Sequence, residues 1–285
     1  MISGTRYRLT MEINRQIALS REIARNQTEI GTGKRIQAPS DDPVAAARVA
    51  SIARSQANDT VFQSNLNLAS ALAARADTTL KSVGSALDRA SELMVQGANG
   101  TLSDGDRATI ALELRSIAAD ISSLKNVKDT RGSNLFMSGG SLRIPVASGI
   151  AIEAVGTRED VFESVPTAAG PQDIAAIVSA AADALSLTNA AARAASVAAS
   201  ADAVSAAVEH VANARGAQGA LGNRIDQLIE RQADAGLQLE EERSNLESTD
   251  VTAAIARLQS QKLTLDAAQA VFSRINSSTL FDILR

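Results

Sequence analysis

Leu66, Ala73, Leu80, Leu87 and Met94 stand seven residues apart, and Phe62, Ala69, Ala76, Val83 and Ala90 fill the second position of the same repeat. Four unbroken heptads predict a helix with an apolar seam that other helices must cover along its length. The helical pattern runs from Val44 to about Gln96. At about 1.5 Å per residue, such a helix is a rod of roughly 75–80 Å. Gly97 and Gly100 end it.

The flanking segments read as further helices. One covers residues 5 to 31 and breaks at Gly31-Thr32-Gly33. In the following turn, Asp41 or Asp42 can cap the next helix, because Pro43 suits its first position. Ser103, with Asp106 three residues on, predicts a capping box and a helix of about 25 residues. Its apolar positions are Ile110, Leu114, Ile117, Ile121 and Leu124. The short glycine-containing link sets this helix antiparallel to the heptad helix. From Arg131-Gly132 to Pro171 the chain is punctuated by Gly and Pro. Leu142, Ile144 and Val146 alternate, Ser148-Gly149 turns, and Ile150, Ile152 and Ala154 alternate again, which predicts a hairpin with a little more strand after it. Pro145 belongs at a sheet edge. Residues 173–214 are alanine-rich helix with a break near Leu187 to Asn189; a long helix covers 200–247, and Asp250 caps a last one at 251–276. Gly216, Gly219 and Gly222 read as an interruption serving a bend or a close helix approach. The order is three helices, a β insert and two helices. The fold class is therefore mainly α, an elongated antiparallel bundle or coiled-coil rod with a small β insert.

Both ends carry apolar stripes with nothing obvious to cover them. Leu9, Ile13, Ile17 and Ala24 fall near one helical face, with Ile23 and Ile30 as further contact candidates. Val251, Ile255, Leu258, Leu265, Phe272 and Ile275 do the same at the other end, followed by the apolar Leu280-Phe281. Such stripes need a partner surface, either each other or neighbouring copies. Charge favours their pairing: residues 1–40 hold seven Lys or Arg against three Glu, and 223–285 hold seven basic against ten acidic side chains. The domain organisation read from this is 1–42 and 248–285 as terminal assembly helices, 43–131 and 172–247 as the helical rod, and 132–171 as the insert.

Composition excludes several classes. Net charge is −4 and the basic residues near the start lack interleaved aromatics, so nucleic acid is not a partner. With no cysteine there is neither thiol catalysis nor a thiolate metal site. His210 is the only histidine, without a clustered ligand set, so neither a metal nor a cofactor is expected. Asp41-Asp42 reads as capping rather than an acid–base pair, and Glu240-Glu241-Glu242 as a solvated face. Gly31-x-Gly33-Lys34 lacks the spacing of a phosphate loop. No run of about 18 apolar residues is present to span a membrane. The start, MISGTRYRLTMEINRQ, lacks the apolar core of a cleaved signal peptide. No enzyme is expected.

Thr32-Gly33-Lys34-Arg35-Ile36, then Ala38-Pro39-Ser40-Asp41-Asp42-Pro43-Val44-Ala45-Ala46-Ala47-Arg48, resembles the bacterial flagellin superfamily, and more closely its hook–filament junction branch, the hook-associated protein 3 family. Val95-Gln96-Gly97-Ala98-Asn99-Gly100-Thr101-Leu102-Ser103-Asp104 is similar to that branch's helix-turn, and Asp250 to Leu284 to the shared C-terminal helix. The resemblance covers about 5–131 and 205–285. Two features depart from the junction branch: the Ile283-Leu284-Arg285 ending is similar to that of filament flagellins, and Ser133-Asn134-Leu135-Phe136-Met137-Ser138-Gly139 matches the branch loosely.

The resemblance implies a secreted structural subunit of the flagellar axis that joins hook to filament. It implies export through the flagellar channel without a cleaved signal peptide, and terminal helices that are disordered in the free monomer and order on assembly. It also implies an insert that faces outward. Implied partners are copies of itself, a hook-side junction protein, flagellin and an export chaperone. Two rivals remain at this point: a divergent filament-forming flagellin, and a cell-surface polysaccharide-binding homologue built on the insert.

Overall fold

Pro43 opens, and Gly97 closes, the heptad helix. The computed structural model describes residues 2–281, with side chains at residue 7 and at 9–274. Its elements are α1 (Ile2–Thr32), α2 (Pro43–Gly97), α3 (Asp104–Lys125), β1 (Arg143–Ala147), β2 (Ile150–Glu153), β3 (Val165–Thr167), β4 (Gly170–Gln172), α4 (Ile174–Leu185), α5 (Ala190–Glu247) and α6 (Val251–Phe281). The fold is mainly α with a small β insert.

Two compact units divide the chain, Met1–Ala57 with Gly236–Arg285, and Asn58–Ala235. The divisions fall inside α2 and α5, not at the turns before α2 and after α5 where the sequence changes character.

In the unit formed by residues 58–235, the heptad positions of α2 from Leu66 to Met94 are buried, and Phe62 is half-buried. Ile110, Leu114, Ile117 and Ile121 of α3 join the same apolar cluster, as do Ile177, Val178, Ala181 and Leu185 of α4 and Val197, Val204, Val211 and Ile225 of α5. Alanine dominates the seam, so the core is filled by small and aliphatic side chains in close approach. α3 begins with the capping box: Ser103 accepts from the Asp106 amide, and Asp106 accepts from the Ser103 amide. Those bonds, to Ser103's hydroxyl and amide, hold the Asp106 carboxyl below its ordinary value. Arg107, a buried cation, donates to Asp104 and to the Gly100 carbonyl, which closes the α2–α3 turn. An exposed pair, Arg89 with Glu113 at 2.8 Å, ties the two helices side to side. Gly97 faces Leu185: an added Cβ would lie 2.7 Å from Leu185 Cδ2. Leu185 is itself buried, so it cannot swing away freely. Gly97→Ala is expected to lower the unfolding free energy by about 1–3 kcal/mol through overpacking, read as a shift of the urea midpoint at constant slope.

The β insert belongs to this unit. β1 and β2 pair antiparallel, with Ile144 opposite Ile152 and a bulge between Pro145 and Ala147. Their turn is Ser148-Gly149, and Gly149 takes a positive φ of 75° that suits glycine. Pro145 sits in a two-stranded sheet, where the strand has a free edge, as its missing amide requires. Two strands cannot stand alone. Asn65 of α2 donates to the Pro145 carbonyl at 2.7 Å, and buried Gln218 of α5 donates to the Ala154 carbonyl at 2.7 Å. His210 bonds the Asp160 carbonyl at 2.9 Å, so the lone histidine anchors the insert. Phe162, in a π-helical stretch at Glu159–Glu163, meets Phe136 edge-to-face at 5.0 Å between centroids.

Three expectations need correction. The strand after the first hairpin is a second hairpin, β3–β4, preceded by the π-helical stretch. The break expected near Leu187 to Asn189 is present, since Ser186 to Asn189 separates α4 from α5 and Asn189 accepts the Ala191 and Ala192 amides to start the new helix; the order after the insert is therefore three helices, not two. α5 then runs unbroken through Gly216, Gly219 and Gly222. A Cβ at any of the three would meet nothing within 4 Å, so close approach does not explain them.

In the other unit, α1 and α6 pair, and the 33–42 strap and the 248–250 turn meet at their roots. No helix among the described residues is long and apolar enough to cross a membrane.

The paired terminal helices as candidate assembly site

α6 turns Ala254, Leu258, Gln261, Leu265, Ala268 and Phe272 inward; Ala254 is buried and the others half-buried, spaced four and three. α1 turns Glu12, Gln16, Leu19, Ile23, Asn26 and Ile30 inward with the same spacing. The seam is amphipathic. Ile23 and Leu258 supply apolar contact, while Asn26 donates to Gln261 at 2.5 Å and Gln261 donates to Glu22 at 3.1 Å. Glu29, buried on α1, accepts from the Thr249 hydroxyl and lies 3.5 Å from Arg257. A buried carboxylate needs such partners, and these fix the register of the pair.

The stripe predicted from the apolar pattern of α1 lies to one side of that seam. Leu9, Ile13 and Ile17 remain 41%, 42% and 45% exposed, and Ile255 of α6 remains 41% exposed. Val251 and Val271 are exposed as well. Ile13, Ile17 and Ala24 border a shallow groove of about 420 Å³ whose opposite wall is Leu265 and Gln269. Gln16 also lines the groove, and its buried side-chain nitrogen has no hydrogen-bond partner in the single chain. The sequence-predicted contact residues thus divide. Leu9, Ile13, Ile17 and Ile255 face solvent; Leu258, Leu265 and Phe272 are half-buried against α1; Ile23 is buried and Ile30 half-buried in the seam. The side chains of Ile275, Leu280 and Phe281 lie outside the described residues. Hydrophobic periodicity overlooked Asn26, Glu29, Thr249 and Gln261, because they are polar. Their signal was position: Asn26 and Glu29 continue the spacing of Leu19 and Ile23.

Below the pair, the strap and the turn lock together. The Arg35 amide donates to the Glu247 carbonyl at 2.7 Å, and the Thr249 amide donates to the Gly33 carbonyl at 3.0 Å. Arg35 also donates through its guanidinium to the Leu246 carbonyl at 3.2 Å. The last two carbonyls of α5, Leu246 and Glu247, are therefore capped by the N-terminal strap, while Ser244 is bonded by its own successor Ser248. Asp42 accepts the Ala45 amide and caps α2; Asp250 accepts the Ala253 amide and caps α6. Asp41 has a different task. It accepts the amides of Gln37 and Ala38 and pairs with Arg25 at 2.9 Å, folding the strap back on α1.

Such bonds hold Asp41 and Asp42 low. Asp41 lies below its ordinary value through the Ala38 and Gln37 amides, and Asp42 through the Ala45 amide with Arg35 beside it. Burial pushes Glu247 up, but the Lys34 hydrogen bond and the charges of Lys34 and Arg243 outweigh it. Arg48, bidentate on Glu242 at 2.6 and 2.7 Å, lowers that carboxyl and is itself raised. No nucleophile–base pair emerges from this arrangement. Among the described residues no group of three or more His, Cys, Asp or Glu could hold a metal ion. What the site offers is surface: a seam paired within the chain except at Gln16 and, beside it, an apolar flank left in water.

The chain is similar to flagellar proteins. Residues 8–139 match the bacterial flagellin N-terminal helical region, and 201–284 match the bacterial flagellin C-terminal helical region. Flagellar hook-associated protein 3 of Salmonella typhimurium is 34% identical over 108 residues, 38% of this chain, and the chain spans only 34% of that relative's length. Flagellin of Listeria monocytogenes is 25% identical over 88% of each chain. A Vibrio parahaemolyticus structure assigned to the flagellar hook-associated proteins shares the fold, with a TM-score of 0.66 at 21% identity, over 73% of this chain and 100% of that one. The two helical-region matches take in well over half of the chain, from both sides of the insert, and the chain belongs to the bacterial flagellin family.

Proposed function

We propose that the chain is a structural subunit of the flagellar axis that joins hook to filament, assembled through α1 and α6. One observation carries the reading: the apolar flank of Leu9, Ile13, Ile17 and Ile255 stays in water although α1 and α6 already pair through the seam beside it. Burying one such side chain contributes about 1.5–3 kcal/mol. A few per neighbour, repeated around an axis, hold a polymer without any single large interface. The similarity to hook-associated protein 3 supports the junction over other axial positions. Its partners in this reading are copies of itself, a hook-side junction protein, flagellin and an export chaperone. It leaves the cell by the flagellar export route. Its work is mechanical, not catalytic.

The match to Listeria flagellin along most of the chain favours a second reading, a filament-forming subunit. Gold-labelled antibody on detached flagella separates the two. A single band between hook and filament is the expected result, with purified chain remaining short of long filaments. Labelling along the whole filament overturns the junction reading in favour of the filament subunit.

A further inference from the structure

We propose that the strap at residues 33–42 and the turn at 247–250 form an acid-released latch, which holds the α1/α6 pair at the roots of α2 and α5. This rests on the reading of α1/α6 as the assembly element, and it adds a control over how that element is presented. The charged groups that meet here come from every packed element: Arg25 and Glu29 of α1; Lys34, Arg35, Asp41 and Asp42 of the strap; Arg48 of α2; Glu240, Glu242, Arg243 and Glu247 of α5; Asp250 and Arg257 of α6.

Backbone bonds cross from strap to turn, Arg35 to Glu247 and Thr249 to Gly33, and do not titrate; the side-chain bonds around them are of two kinds, which respond to different conditions. The ion pairs of Lys34 with Glu247 at 3.1 Å and Arg35 with Asp42 at 3.3 Å have exposed cations. Exposed pairs add little and are screened by salt. The bonds that shape the strap are instead carboxylate to backbone amide. Asp41 holds Gln37 and Ala38, Asp42 holds Ala45, and Asp250 holds Ala253. A carboxylate accepting amide protons is disabled by protonation and scarcely touched by salt.

The sign follows from the direction of the shifts. Asp41, Asp42, Glu242 and Glu247 all lie below their ordinary values when folded. Their contribution is fully present above the unfolded carboxyl range of about 4, and is lost as pH falls through the lower folded values. In the unit of residues 58–235, Asp106 and Asp129 also lie low, but most of the support is the apolar cluster running from α2 to α5, which does not titrate. The latch therefore opens before that unit does.

The chain has no cysteine, so introduced pairs can be spin-labelled selectively. Gln27→Cys with Asn245→Cys spans the latch from exposed positions on α1 and α5, and Ala74→Cys with Glu209→Cys reports on the other unit. Distances are measured by pulsed electron resonance on the full-length monomer, without filament, so the outcome does not depend on assembly. The 27–245 distribution is expected to broaden severalfold below about pH 4 while 74–209 stays narrow. It is expected to stay narrow in about 0.5 M salt at neutral pH. Asp41→Ala with Glu247→Ala should broaden it at neutral pH. A 27–245 distribution that stays narrow in acid, or that broadens only together with 74–209, overturns the latch; opening by salt alone overturns its carboxylate–amide basis. The assembly reading fails separately, if the label or antibody never reaches the hook–filament boundary.

Discussion

Ile13→Asp combined with Ile17→Asp is expected to abolish filament attachment, with swimming lost and the free chain's helix content unchanged. Both side chains are more than two-fifths exposed in the single chain, so the monomer loses only part of their packing when they change. Asp is a little less favourable than Ile inside a helix, by a few tenths of a kcal/mol. In the assembly the effect is far larger. Each subunit forfeits about 1.5–3 kcal/mol of apolar burial per side chain, and each carboxylate must also be desolvated without a partner. The loss recurs at every contact, so a polymer amplifies it. Circular dichroism checks the first half of the expectation, and motility with filament counts checks the second. A doubly substituted strain that swims normally would remove the α1 flank from the assembly face. Leu265→Asp with Phe272→Asp is a less clean probe, because both side chains are half-buried against α1 and the change would also loosen the seam.

Phe162→Ala should give the largest loss of stability among single substitutions in the insert. The ring is fully buried and packs edge-to-face on Phe136, also fully buried. Truncating a buried Phe removes about 3–5 kcal/mol, part of which is the aromatic pair itself. Against a typical total of about 5–15 kcal/mol, that is a substantial share. Urea titration should show the midpoint falling while α1 and α6 keep their pairing, since Phe162 belongs to the other unit. A comparison with Val61→Ala, at a side chain 58% exposed, should move the midpoint by no more than about 0.5 kcal/mol in equivalent stability. Equal effects from the two would mean that the insert does not share the unit's cooperative core.

What could be read from the chain depended on which physical signal each element carries. The heptad positions from Leu66 to Met94 are nearly uniform in character, so their burial followed directly from spacing. Ser103 and Asp106 form a local motif that needs no tertiary information, and Ser148-Gly149 likewise marks its hairpin. The second hairpin was hidden because Val165-Pro166-Thr167 and Gly170-Pro171-Gln172 place prolines opposite each other, where strand patterns are not expected. The π-helical stretch has no periodic signature in five residues. At the candidate site the limits were of another kind. Periodicity located the apolar stripe of α1 but could not show that the intrachain seam is the adjacent, more polar face. Asn26 and Gln261, 235 residues apart, become partners only once the chain has folded back. The aspartates before Pro43 were readable as caps; that Asp41 serves the strap and Asp42 the helix required their distances.

The capping of α5 by the strap fixes when this part of the molecule can exist at all. Arg35 and the Leu246 carbonyl it satisfies are 211 positions apart. Loop closure over that span is among the last events in folding, since distant contacts wait on everything between them. A ribosome releasing the chain has long finished α1 before the residues that receive it are made. Any product truncated ahead of residue 247 keeps α1 and the strap but lacks the turn that receives them, so the same handful of bonds that close the fold cannot form until the chain has passed that point.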